Sequence, residues 1–135
     1  MMFKVRCLKT SELEMAYELY CKCFNREKKK ISLPLLGMVV GGFEDNELIG
    51  IAQLDSFNNI FEDKKIFHIN SVCIKEEYRN KGYGKRLLEE CIAIVKSNGG
   101  SLINLTANKN RVYAHMMYNS LGFVHADTVF LKKEL

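Results

Sequence analysis

The rhythm of hydrophobic and polar residues changes several times along the chain, and each change marks an element. Phe3, Val5 and Cys7 alternate with polar neighbours, the two-residue period of a strand over residues 3–8. Thr10 and Ser11 then offer helix caps, and Ser11 with Glu14 is spaced as a capping box. Leu13, Tyr17, Tyr20 and Phe24 form one face of the helix that follows. Residues 25–32 are polar and basic, a short helix or loop that Pro34 ends.

Two apolar stretches, 36–43 and 48–57, flank the turn-forming residues 44–47 and predict a hairpin. Residues 58–63 make a loop. Across 65–74, alternation puts Ile66, His68, Asn70, Val72 and Ile74 on one face of a strand and Phe67, Ile69, Ser71 and Cys73 on the other. After a glycine-rich turn, Leu87, Leu88, Cys91, Ile92 and Val95 recur at helical spacing until Asn98, Gly99 and Gly100 stop the helix. A short strand over 102–105, a helix over 114–121 closed by Gly122, and a last strand over 123–133 complete the chain. A crossover helix between two strands calls for a parallel pair inside a mixed sheet, so the class is α/β (α+β). No domain boundary or internal repeat interrupts the pattern, and residues 1–135 read as one domain.

Composition narrows the functional classes. With 135 residues, 47% of them hydrophobic, the chain can bury a core without disulfide or metal staples. Its one proline and lack of low-complexity tracts argue against disorder. No apolar run approaches the ~18–20 residues of a membrane span. Residues 1–10 alternate, unlike the apolar core of a signal peptide, so a cytoplasmic protein is expected. Cys7, Cys21, Cys23, Cys73 and Cys91 include no Cys-x-x-Cys pair and read as reduced thiols. His68, His115 and His125 are scattered, and no metal is expected. The net charge of +4 is modest, and the aromatics sit at core periodicity rather than among basic residues, so no nucleic-acid partner is expected. Lys28, Lys29 and Lys30 read as a solvated helix end.

The informative segment is the turn between a strand and a helix, Arg79-Asn80-Lys81-Gly82-Tyr83-Gly84-Lys85. Gly82 and Gly84 allow torsions and a close approach that side chains would block. The turn runs into a helix N-terminus, where unpaired amides and the helix dipole attract phosphate oxygens. Arg79, Lys81, Lys85 and Arg86 add positive charge, which suits a ligand with more than one phosphate. The segment lacks the Gly-Lys-Ser/Thr end of a P-loop and the third glycine of a dinucleotide fingerprint.

Val72-Cys73-Ile74, four residues, and then the Arg79–Lys85 turn resemble the first signature of the GNAT superfamily of N-acetyltransferases. Downstream, Asn108-Lys109-Asn110-Arg111, Ala114-His115-Met116-Met117-Tyr118 and Leu121-Gly122-Phe123 are similar to its second signature. The resemblance implies a mostly antiparallel mixed sheet of about seven strands with about four helices. In it the fourth and fifth strands splay apart around the pantetheine arm of acetyl-CoA, the co-substrate. By the same resemblance, Val72, Cys73 and Ile74 offer main-chain contacts to the pantetheine and thioester. Arg79, Asn80, Lys81, Gly82, Tyr83, Gly84 and Lys85 hold the pyrophosphate. Asn110, and with it Asn108, contacts the pantetheine arm, and Tyr118 lies by the sulfur.

The implied reaction is transfer of an acyl group from CoA to a primary amine by direct attack in a ternary complex. Tyr118 is the candidate acid for the leaving thiolate. Many relatives carry a glutamate where this chain has Asn70. His68 and Asp55, or water alone, are then the candidates for taking the amine proton. Cys73 invites an acyl-enzyme reading, against which its apolar neighbours favour a buried thiol. The acceptor is expected to be a small molecule or a peptide, with the lysines at 28–30 disfavouring polycations if they face the pocket. A homodimer is among the expectations, as relatives are often dimers. The competing class is a non-catalytic acyl-CoA-binding protein.

Overall fold

The computed structural model describes residues 2–29 and 37–135. Five strands form one sheet in chain order: β1 (Phe3–Cys7), β2 (Met38–Glu44), β3 (Glu47–Asn59), β4 (Lys64–Ile74) and β5 (Leu102–Leu105). The first three pairings are antiparallel, and β4 with β5 is parallel. The helices are α1 (Leu13–Phe24), α2 (Tyr83–Ser97) and α3 (Val112–Ser120). This is the mixed, mostly antiparallel sheet expected. The described residues hold five strands and three helices, in place of about seven and four.

Both faces of the sheet are buried, and each face has its own helix. Leu87, Leu88, Cys91 and Val95 on one side of α2 pack into Val40, Ile49, Ala52, Leu54, Phe67 and Ile69. Each such side chain removed from water contributes roughly 1.5–3 kcal/mol, so this layer fixes where α2 begins. On the other face, Ala16 and Leu19 of α1 meet Phe43, Leu48, Ile51 and Cys73. α3 lies on the α2 side, where Met117, Tyr118 and Leu121 pack against the first core.

Several local expectations shift. The entry to α1 is a 3-10 turn, Thr10–Glu12, which places Ser11 inside the turn and not at a cap. Glu12 receives the Lys9 amide at 2.9 Å and the Arg6 guanidinium at 2.8 and 2.7 Å. Those bonds, Arg6 first, hold the Glu12 carboxyl down to about 2. The expected helix or loop over 25–32 and the start of the strand at 36 lie partly outside the described residues. The described part, residues 25–29, is not helical.

The strand expected over 123–133 is not formed. Val124 to Leu135 is exposed throughout, with Phe130 at 73%. Alternating residues become a strand only by pairing, and this segment pairs with none of the five strands.

One irregularity decides the geometry of the site. The β3–β4 register passes from Ile51 opposite Cys73 to Gln53 opposite Asn70, so Ala52 faces two residues, Ser71 and Val72. Ser71 has φ 57°, the left-handed conformation of a bulge residue. The bulge reverses the alternation. Phe67 and Ile69 point to the α2 core, but so do Val72 and Ile74, while Cys73 turns to the α1 core. The single face expected for Ile66, His68, Asn70, Val72 and Ile74 is therefore broken at Ser71.

Candidate active site

β4 and β5 pair only from Ile66–Leu102 to Ile69–Leu105. Beyond that point β4 runs on through Ile74 with no partner on its β5 side among the described residues, so the two strands part just before the bulge. Val72, Cys73 and Ile74 lie beyond the parting. The Ile74 carbonyl accepts the Arg79 Nε–H at 2.8 Å, which ties the turn back to the strand end.

The turn leads into α2 without a side-chain cap. Its N-cap is Gly82, φ 79°, a backbone state that glycine adopts without strain. Asn80 is also left-handed, at φ 64°. Successive amides in such alternating conformations form a concave anion nest. The first helical bond at this end is Arg86 N–H to the Gly82 carbonyl, 3.2 Å. The Tyr83, Gly84 and Lys85 amides before it therefore have no acceptor within the helix. A Cβ on Gly84 would lie 3.5 Å from Met117 Sδ and 3.8 Å from Ile74 Cγ1, so the end of β4, the start of α2 and α3 converge here.

The cations around this helix end are not equivalent. Arg79, Lys81 and Lys85 are exposed, with Lys81 over the Tyr78 ring at 5.3 Å. Arg86 is engaged elsewhere. Its guanidinium lies 4.9 Å from the Phe3 ring centroid and donates to the Phe3 carbonyl at 3.0 Å. Tyr83 turns the same way, stacked on Phe3 at 4.4 Å, with its hydroxyl donating to Glu44. That bond and burial raise the Tyr83 pKa. Tyr83 thus offers its amide, not its ring, to the turn. Glu44, expected in a turn, ends β2 with 6% exposure as the Tyr83 partner. No sequence signal marks it, because the contact spans 39 residues.

Asn108 caps its own loop, accepting the Asn110 amide at 2.9 Å, and its carbonyl is held by His115 Nε2 at 2.8 Å. Asn110 thereby sits just before α3. Tyr118 lies on α3, edge-on to Phe123 with ring centroids 5.9 Å apart. Burial raises its pKa and keeps the phenol protonated, with Arg111 opposing weakly. Cys73 is buried, and burial pushes its thiol up, with Cys23 adding to the effect. A thiol held protonated is a poor nucleophile, which weighs against the acyl-enzyme reading.

The α1 face of the sheet carries a polar row ahead of the bulge. His68 lies between Asp55 on β3 and Asn104 on β5 in the strand register. His68 Nδ1 meets Asn104 Oδ1 at 2.6 Å. The amide oxygen only accepts, so Nδ1 is the donor in this contact, and in the neutral ring Nε2 is the acceptor. Asn70 Nδ2 donates to Asp55 Oδ2 at 2.8 Å, and Ser71 Oγ donates to Asn70 Oδ1 at 3.0 Å. Gln53 Nε2 bridges both Asp55 oxygens at 3.1 and 3.2 Å. The basic run does not act as one patch. Lys28 is paired with Glu14 and, at 3.2 Å, with Glu18, and Lys30 lies outside the described residues.

Among the described residues no group of three or more His, Cys, Asp or Glu side chains is placed to hold a metal ion, and no helix is long and apolar enough to cross a membrane.

Residues 7–123 match the sequence profile of the acetyltransferase (GNAT) family. No curated protein sequence matches the chain. In structure the chain is similar to an aminoglycoside acetyltransferase from an uncultured soil metagenomic sample, with TM-score 0.84, 15% identity and coverage of 100% of this chain and 99% of that one. It is also similar to a Trypanosoma brucei acetyltransferase, with TM-score 0.80, 20% identity and coverage of 99% and 100%. A ribosomal-protein-alanine N-acetyltransferase from Brucella melitensis superimposes with TM-score 0.83 at 12% identity, covering 98% and 100%.

Proposed function

Because the chain belongs to the acetyltransferase (GNAT) family, we propose that it is an acetyl-CoA-dependent N-acetyltransferase acting on a primary amine of a small molecule or peptide. The observation that carries the reading is the uncapped end of α2, whose amides and flanking cations stand at the end of β4, beyond the point where it leaves β5. A phosphate at such a helix end is stabilised by roughly 0.3–1 kcal/mol from the dipole alone, before the cations contribute.

Acetyl-CoA supplies the acyl group as a thioester. The Tyr83, Gly84 and Lys85 amides with Arg79, Lys81 and Lys85 bind its pyrophosphate, and Asn80 and Gly82 shape the turn. Val72, Cys73, Ile74 and Asn110 border the pantetheine path. An amide beyond the Ser71 bulge stabilises charge on the carbonyl oxygen. The neutral amine attacks the carbonyl carbon in a ternary complex, so a C–N bond forms as the C–S bond breaks. His68 Nε2 receives the amine proton through bridging water, because three strand positions, roughly 10 Å, separate it from the bulge. The Tyr118 phenol gives its proton to the leaving sulfur.

Release of free thiol with a panel of amines tests the reading, with release above the amine-free rate expected. The pH–rate profile tests His68: His68→Ala should abolish the acidic limb, and an unmoved limb would remove His68 from the mechanism. If CoA binds but no amine releases thiol, the transferase reading fails. The second reading, a non-catalytic acyl-CoA binder, then holds; it is favoured by Asn70 standing where many relatives carry a carboxylate.

A further inference from the structure

The carboxylate absent from β4 at Asn70 is replaced, one strand away, by a carboxylate that Asn70 itself holds. Asp55 Oδ2 takes the Asn70 amide at 2.8 Å, and Gln53 clasps both oxygens at 3.1 and 3.2 Å. The backbone at Gly37 presses on the same group: a Cβ there would lie 2.4 Å from Asp55 Oδ1 and 2.3 Å from the Leu54 carbonyl. The side chain is thus fixed from three directions, yet it is only half-buried. A carboxylate accepts at about four lone-pair sites, so the amide donors leave capacity for a further one.

Amide donors reach both oxygens and hold the carboxylate in one orientation. The arrangement suits a fixed negative charge better than a base. Among the described residues no cation neutralises it. Residues 53–57 of β3 and 66–70 of β4 contain no lysine or arginine. Asp55 is in no ion pair among the described residues, and the titratable side chain opposite it is His68. The pairing of Lys28 with Glu14 and Glu18 removes part of the charge argument against cationic acceptors.

We propose that Asp55 is a specificity-determining anchor for a second positive charge on the acceptor amine. The inference rests on reading the α1 face of β3–β4 as the acceptor side of the transferase. Asp55 stands opposite His68, but its carboxylate reaches the Asn70 side chain at 2.8 Å, and Asn70 is two strand positions, roughly 7 Å, from Val72. The favoured acceptor therefore carries a second ammonium a few bonds from the amine that reacts, as in a diamine or an amino sugar.

The test reads binding, not turnover. With CoA present, calorimetry compares 1,4-diaminobutane with 1-aminobutane on the wild-type protein and on Asp55→Asn, whose fold is checked by thermal melting. The diamine should bind wild type at least ~10-fold more tightly, and Asp55→Asn should bring the two amines within ~2-fold. On the wild-type protein the preference should also shrink between ~50 and ~500 mM salt, as an ion pair at a half-buried site does. No preference in the wild type, its survival in Asp55→Asn, or its indifference to salt each overturns the anchor. A diamine that binds with an Asp55-dependent preference but releases no thiol supports the anchor and overturns the transferase reading alone.

Discussion

The α2 side and the α1 side of β4 are furnished in different ways. On the α2 side, the groups proposed to bind the pyrophosphate come from the consecutive residues Arg79 to Lys85, and their geometry follows from two left-handed residues and an uncapped helix. On the α1 side, the polar row of Gln53, Asp55, His68, Asn70 and Asn104 is drawn from three strands and exists only in the observed register. The first region is set by torsion and helix-end chemistry, which act locally. The second is set by pairing, where a shift of one residue sends every side chain to the other face. The Ser71 bulge is such a shift, made once and kept. It lets β4 present His68 and Asn70 to one side and Val72 and Ile74 to the other.

The contrast makes predictions that differ in size. The largest effect is expected where chemistry rather than binding is at stake. Tyr118→Phe should keep CoA affinity and lower turnover at least ~10-fold, since positioned acids typically contribute about 10²–10⁴. An unchanged turnover number would leave α3 as packing and confine the α2 side to binding.

Next comes the turn itself. A Cβ at Gly82 meets nothing within 4 Å, so Gly82→Val should act through the backbone alone, at φ 79°. Left-handed torsions cost an L-residue roughly 1–2 kcal/mol, and CoA dissociation constants should rise about 10-fold. If calorimetry finds CoA affinity unaltered, the turn does not hold the pyrophosphate.

The smallest effect separates two neighbouring cations. Lys85→Ala should weaken CoA binding a few-fold, more at low salt than at high. Arg86→Ala should leave CoA affinity alone and lower the melting temperature instead, because Arg86 serves the Phe3 carbonyl and ring. A loss of CoA affinity in the Arg86 variant equal to that in the Lys85 variant would erase the distinction drawn between them.

The sequence by itself determined the order of the observed elements, the hairpin, the crossover helix and the cation-rich turn. These are readable because helix and strand periods, glycine torsions and helix ends depend on residues close in the chain. The helix read over 114–121 forms as Val112–Ser120, with Tyr118 on it and Asn110 just before it. The alternation read through 65–74 went astray at Ser71, and the strand read over 123–133 did not form. In both cases the outcome depends on a partner strand that no local pattern specifies.

Tertiary structure alone decided that Arg86 and Tyr83 turn towards Phe3 and Glu44, that Lys28 pairs with α1, and that Asn70 holds Asp55 where the expected carboxylate is missing. Each is a contact between residues far apart in sequence. The energy of such a contact depends on register and burial, and neither exists until the sheet has closed.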